Sequence, residues 1–115
     1  MATIAPEQQT TVTEPLRVTS EELGGGCEIV KNYNWNVRIA YAVCMAESGG
    51  NPNAANLNDK HRGCVGSYGL MQVACIHGGI FTDPKQNMDK AFEIYNQSGW
   101  KPWGAYTNRS YLKHL

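Results

Sequence analysis

Glu47 combines an ionisable side chain with a position in the sequence that would change its acidity. It follows a largely apolar stretch and precedes Gly49-Gly50 and Pro52, which are helix stop signals. We therefore expect Glu47 in the last turn of a helix, where the helix dipole places partial negative charge. That charge and partial burial would both raise the pKa of a carboxyl group. A carboxyl group that stays protonated near neutral pH can act as a general acid. The ordinary alternative is that Glu47 is a solvated charge at the end of a surface helix.

The helix that would carry Glu47 is predicted over residues 34–48. Asn34 is the expected N-cap, because its side chain can accept a hydrogen bond from a free backbone N–H. The apolar side chains recur roughly as on one helix face: Trp35, Val37, Ile39, Ala40, Val43 and Cys44.

Composition divides the 115-residue chain into two parts. Residues 1–23 are rich in Thr, Glu, Pro and Gln and read as a disordered tail or linker, so the domain is predicted at residues 24–115. The tail has one basic and four acidic residues, which leaves nine basic and six acidic residues for the domain. An excess of three positive charges, without a basic run that contains aromatic residues, does not indicate nucleic-acid binding. We also expect no membrane insertion and no signal peptide, because residues 2–23 are polar.

Turn and cap signals outline the other elements. Residues 27–33 are predicted as a short helix, residues 49–63 as an irregular Asn-rich loop, and residues 64–76 as a small hairpin or a turn into a short helix. Asp83 is a candidate N-cap for a helix that begins at Pro84. That helix, or a second one from about Asn87, is predicted to run to Tyr95.

Four cysteines in a small domain predict two disulfides and an oxidising compartment. Three pairings are possible. We favour Cys27–Cys44, which would tie the preceding segment to the main helix, and Cys64–Cys75, which would close a short loop.

A zinc site is the alternative for two of these cysteines. His61-x2-Cys64 and Cys75-x-His77 contain two Cys and two His, although the Cys-x-His spacing is unusually tight. We expect no metal and no cofactor, and we interpret both histidines as loop residues.

Two motifs together resemble the lysozyme-like soluble lytic transglycosylase domain. They are AESGGNP at residues 46–52 and GSYGLMQ at residues 66–72, and the resemblance extends over roughly residues 27–115. It implies a mainly helical α+β lobe in which a short hairpin or turn lines a substrate cleft. It also implies that Glu47 is the catalytic acid.

The same resemblance implies a substrate, the β-1,4 bond between N-acetylmuramic acid and N-acetylglucosamine in peptidoglycan. A lytic transglycosylase closes a 1,6-anhydro ring with one carboxyl group, whereas a hydrolytic lysozyme adds water. Asp59 is the only acid between Glu47 and Asp83, and turn formation is its ordinary role in an Asn-Asp pair. Because no second carboxylate is evident, we favour the transglycosylase and keep Asp59 as possible catalytic support.

Five further side chains are candidates for substrate binding. Ser67 and Gln72 offer hydrogen bonds to acetamido sugars. Tyr68, Trp103 and Tyr106 offer either flat faces for sugar rings or a wall that desolvates Glu47, and core packing is their ordinary alternative. Tyr106 lies in Ala105-Tyr106-Thr107-Asn108, which is one residue longer than the Ala-Tyr-Asn segment of the family.

These assignments predict a monomer that binds peptidoglycan glycan strands outside the cell or at the wall, either secreted or carried by a phage. A non-catalytic wall-binding module on the same fold is the alternative from another functional class.

Overall fold

The structure, a computed structural model, describes residues 26–115, and the tail predicted at residues 1–23 lies outside the described residues. A 3₁₀ helix at Gly26–Asn32 precedes helix α1 (Val37–Ser48) and strands β1 (Ala55–His61), β2 (Cys64–Tyr68) and β3 (Val73–Ala74). There follow a 3₁₀ turn at Cys75–His77, helix α2 (Pro84–Ser98), the one-turn helix α3 (Gly104–Thr107) and a 3₁₀ helix at Ser110–His114. Helices around a small antiparallel sheet confirm the predicted α+β class. None of the helices in the described part of the chain is long and apolar enough to cross a membrane.

Helix α1 starts later than predicted but ends as predicted. Its N-cap is Asn36, whose side chain accepts a hydrogen bond from the Ile39 N–H at 3.1 Å, so the assignment to Asn34 was wrong. Trp35 explains the difference, because its indole N–H donates to the Val30 carbonyl at 2.8 Å and holds this residue in the core ahead of the helix. Gly49 ends the helix in the left-handed conformation (φ 65°), which glycine adopts without strain.

Strand β1 corrects the prediction of an irregular loop at residues 49–63. The strand pairs antiparallel with β2, from Ala55 opposite Tyr68 to His61 opposite Cys64, and β2 pairs in turn with β3. Most of β1 is exposed at the edge of the sheet, so its stability comes from pairing and not from burial of apolar side chains. Its polar composition therefore gave no strand signal.

Helix α2 begins at the predicted cap. The Asp83 side chain accepts a hydrogen bond from the Gln86 N–H at 3.0 Å, and Pro84 is the first helical residue. The helix therefore starts at Pro84 and not at Asn87, and it continues three residues beyond the predicted end at Tyr95.

The core lies between α1, α2 and the sheet, and aromatic rings form much of it. The Trp35 ring lies 5.3–5.6 Å from those of Phe92, Tyr95 and Trp100. The buried members of the core are Cys27, Val30, Trp35, Ala40, Val43, Cys44, Leu70, Met71, Val73, Met88, Ala91, Ile94, Trp100 and Trp103.

Two disulfides join the elements that flank this core. Cys27 is bonded to Cys44, which ties the first 3₁₀ helix to α1, and Cys64 is bonded to Cys75, which ties β2 to the 3₁₀ turn. Both cysteines of the zinc alternative are therefore used in the second bond.

Candidate active site

A cleft of about 440 Å³ opens between the end of α1, the sheet and the start of α3. Glu47 reaches it from α1, and Ala105 borders it from α3. Polar side chains dominate the rest of its lining, among them Asn56, Asp59, His61, Ser67, Gln72 and His77.

Within the described part of the chain, one backbone donor holds the Glu47 carboxyl group. Its Oε2 accepts a hydrogen bond from the Ala105 N–H at 3.1 Å. Burial raises the pKa of Glu47, the Ala105 hydrogen bond partly opposes that rise, and the negative charge of Asp59 adds to it. A raised pKa keeps the carboxyl group protonated to higher pH, which suits a proton donor.

Trp103 determines where the Ala105 N–H lies. It is the residue before α3, and the first N–H groups of a helix have no partner within the helix. Its indole N–H donates to the Met71 carbonyl at 2.8 Å, and only 4% of the residue is exposed. Trp103 borders the cleft, but its ring is held in place and almost fully buried, so little of it is accessible to a sugar.

Asp59 lies in the same cleft, on β1, and not in a turn. The Ser67 hydroxyl donates a hydrogen bond to Asp59 Oδ2, and His61 Nε2 lies 3.4 Å from that same oxygen. Ser67 is 4% exposed, so its hydroxyl serves the carboxylate next to it. The Ser67 hydroxyl thus has a partner within the protein, and its contact with substrate stays a prediction.

Gln72 closes the turn that carries the second motif. Its φ of 50° is unusual for a residue other than glycine. The side-chain amide donates to the carbonyl groups of Ala54 at 3.1 Å and Gly69 at 3.0 Å. Gln72 thus borders the cleft with its amide nitrogen already engaged.

Asn87 fastens this turn to α2 and is fully buried. Its side-chain oxygen accepts from the Met71 N–H at 2.8 Å, and its amide donates to the carbonyl groups of Tyr68 at 2.8 Å and Phe81 at 2.6 Å. A Cβ atom at Gly69 would lie 2.3 Å from the Asn87 amide nitrogen, so only glycine fits there. The sequence signal for this role was the position of Asn87, a polar residue next to the apolar Met88 on an amphipathic helix.

Two aromatic side chains that were predicted to bind substrate make contacts within the protein. The Tyr68 hydroxyl donates to the Val65 carbonyl at 2.9 Å. Tyr106 stacks on Tyr111, with ring centres 4.9 Å apart. Neither Tyr68 nor Tyr106 is among the described residues that line the cleft.

The two histidines that we interpreted as loop residues both line the cleft. Burial lowers the pKa of His77, and the charges of Lys90 and His61 lower it further. Alternate residues of a strand point to the same face, so Asp59 and His61 would have been linked had β1 been predicted as a strand. Within residues 26–115, no group of three or more His, Cys, Asp or Glu side chains is placed to hold a metal ion.

Residues 32–105 match the model of a protein family described as a lysozyme-like domain. The match includes Glu47, Asp59, Ser67 and Gln72, together with α1, the sheet and α2. No curated protein and no solved structure matches the chain.

Proposed function

The chain belongs to the lysozyme-like domain family, and on that premise we propose that it cleaves the β-1,4 bond between N-acetylmuramic acid and N-acetylglucosamine in peptidoglycan, with Glu47 as the general acid. One observation carries the proposal: the Glu47 carboxyl group is partly buried in a polar cleft, and its pKa is raised by that burial. A solvated helix end would have neither property, and a wall-binding module has no need of them.

In the first step, Glu47 transfers its proton to the glycosidic oxygen while the bond from C1 to that oxygen breaks. The N-acetylglucosamine side leaves as an alcohol, and positive charge develops at C1 of the muramic sugar. The negative charges of the remaining Glu47 carboxylate and of Asp59, which lies in the same cleft, stabilise that positive charge.

The second step separates two candidate products, and Asp59 favours hydrolysis. Water would attack C1 while one of its protons passes to the Asp59 carboxylate, which gives a reducing end and consumes one water. The transglycosylase was favoured above because no second carboxylate is evident in the sequence. That reason is weakened by Asp59, which lines the cleft together with Glu47.

Transglycosylation is the second candidate, and the paired motifs at residues 46–52 and 66–72 favour it. In that route the Glu47 carboxylate takes the proton of the muramic C6 hydroxyl, and O6 bonds to C1 without consuming water. An intramolecular nucleophile has an effective molarity of order 10⁵ M or more in well-oriented cases. Hydrolysis therefore prevails only where the protein positions a water molecule.

The proposal includes the setting in which the protein acts. Peptidoglycan glycan strands are the proposed partner, and a monomer is sufficient because the described cleft is formed within one chain. Two disulfides and a wall substrate fit an oxidising location outside the cell or at its wall.

Purified peptidoglycan digested in water enriched in oxygen-18 tests the proposal. Hydrolysis predicts muropeptides that carry one oxygen-18 atom at each new reducing end. Transglycosylation predicts unlabelled 1,6-anhydro ends, lighter than the hydrolysed ends by one water. If mass spectrometry detects neither product, the protein is not a glycosidase of this wall, and the binding module becomes the better account.

A further inference from the structure

We infer that Ser67 and His61 are positioning residues that orient Asp59 toward an attacking water, and that they thereby set the ratio of hydrolysed to anhydro ends. This inference rests on the proposed function. It assigns to the pair a role in choosing between two products and gives neither residue direct contact with the substrate.

Both side chains converge on one oxygen of Asp59. The Ser67 hydroxyl donates to Oδ2, and His61 Nε2 lies 3.4 Å from Oδ2. The contacts of Ser67 and His61 both use Oδ2 and do not involve Oδ1, and Asp59 lines the cleft. A carboxylate that is fixed through one oxygen can present the other to a water molecule in a defined direction.

The surroundings of Ser67 and His61 make this contact effective. Ser67 is 4% exposed, so little water competes for its hydroxyl. His61 Nε2 is buried and has no hydrogen-bond partner among the described residues, which costs free energy unless a partner is gained. Asp59 Oδ2 is within reach of a small movement, and catalytic hydrogen bonds often shorten only when substrate binds.

An irregularity in the sheet brings Asp59 to this position. Asn56 pairs with Ser67 and Lys60 pairs with Val65, so residues 57–59 of β1 lie opposite the single residue Gly66 of β2. Such bulges bend a strand and redirect a side chain, and they are common next to active sites. Here the bulge contains Asp59, whose carboxylate meets the hydroxyl of a residue eight positions later in the chain.

The pair acts on the product because the two routes place different demands on Asp59. The C6 hydroxyl is held near C1 by the sugar itself and needs only Glu47 as base. A water molecule must be oriented by the protein. Loosening Asp59 therefore slows hydrolysis and leaves ring closure available, so the anhydro fraction rises.

Ser67→Ala is the direct test, with product ends counted by mass spectrometry of digested peptidoglycan. We expect the ratio of anhydro to hydrolysed ends to rise at least about tenfold, the lower end of the effect expected for the loss of one hydrogen bond to a charged group. Ser67→Thr keeps the hydroxyl and should return the ratio toward that of the wild type. Ser98→Ala is the matched control, because Ser98 is an exposed serine at the end of α2 and is not among the described residues that line the cleft.

His61 is tested by the same ratio. Gln can donate an amide N–H toward Asp59 and Ala cannot, so His61→Gln should give a lower anhydro fraction than His61→Ala. If Ser67→Ala slows total cleavage but leaves the ratio unchanged, Ser67 is merely structural and the inference is overturned. A wild-type enzyme that forms only anhydro ends overturns it as well.

A double-mutant cycle tests the contact without catalysis. Ser67→Ala, Asp59→Ala and the double variant are compared by urea unfolding. We expect the effects to be non-additive, because either substitution alone removes the same hydrogen bond. Additive effects would overturn the inference, even for a protein that cleaves glycan as proposed. Absent cleavage would overturn the proposed function, and with it the role of the pair in choosing the product, even if the pair is coupled.

Discussion

Replacing Asn87 with Ala should destabilise the domain severely. The substitution removes the hydrogen bond from the Met71 N–H and those to the carbonyl groups of Tyr68 and Phe81, at 2.6–2.8 Å. Asn87 is fully buried, and its hydrogen bonds to backbone N–H and carbonyl groups hold the turn of the second motif. Without the side chain, these backbone groups lose their partner inside the protein.

The expected loss follows from the number of bonds. Three hydrogen bonds at about 1 kcal/mol net each amount to about 3 kcal/mol, and each backbone group left unsatisfied adds to that loss. A domain of this size loses about 4–8 °C in Tm for each kcal/mol, so Tm should fall by about 12–24 °C. Wall cleavage should fall too, because the Met71 carbonyl anchors Trp103 and hence the Ala105 donor to Glu47.

Urea unfolding followed by circular dichroism measures this loss. Asn96→Ala is the matched control, since it changes the same residue type at an exposed position of α2. Equal unfolding free energies for Asn87→Ala and Asn96→Ala, or a loss below about 1 kcal/mol for Asn87→Ala, would refute the reasoning, because a single net hydrogen bond is worth that much.

Two further predictions concern acidity and cross-links. The alkaline limb of kcat/KM should lie above the ordinary glutamate pKa of 4.5, because burial raises the pKa of Glu47. Asp59→Asn should move the limb of the residual cleavage to lower pH, because it removes a neighbouring negative charge. A wild-type limb at the ordinary value would contradict this. The folded protein should have no free thiols by thiol titration, and the double substitution Cys64→Ser with Cys75→Ser should cost about 2–5 kcal/mol in urea unfolding. Four reactive thiols together with bound zinc would support the zinc site.

Local signals in the sequence predicted the helix ends. A cap depends on residues within one turn, so Asp83, Pro84 and Gly49 could be assigned from the sequence alone. The start of α1 was missed because Asn34 and Asn36 both suit a cap, and the choice depends on the contact between Trp35 and the 3₁₀ helix before it.

Strand β1 could not be predicted because its stability depends on a partner. Its Asn-rich sequence reads as a loop, and only pairing with β2 across the turn at Arg62-Gly63 makes it a strand. Without the strand, the sequence could not bring Asp59 and His61 to one face. Because β1 was not predicted, Asp59 was interpreted as a turn residue and not as a second carboxylate of the cleft.

The contacts of the candidate site were hidden by distance along the chain. Glu47 was assigned from its position in α1, but its hydrogen-bond donor at Ala105 lies 58 residues later. Asn87 was matched to a helix start, whereas its bonds reach 16 and 19 residues back to Met71 and Tyr68. Residue type indicated the candidates, and the fold determines which groups they contact.

The central claim, that Glu47 is the general acid, is tested most directly by the turnover of Glu47→Gln on purified peptidoglycan. Glu93→Gln is the matched control, because Glu93 is an exposed acid on α2 whose side chain pairs with Lys90. A raised pKa means that ionised Glu47 disfavours folding as pH rises, so Glu47→Gln should be at least as stable as the wild type near neutral pH, a gain that disappears below the ordinary glutamate pKa.

We predict that folded Glu47→Gln releases muropeptides at least about 10²-fold more slowly than the wild type, the usual contribution of a general acid. Glu93→Gln should release them at the wild-type rate. Near-normal turnover by folded Glu47→Gln would contradict the assignment of the acid, whatever the product ends prove to be.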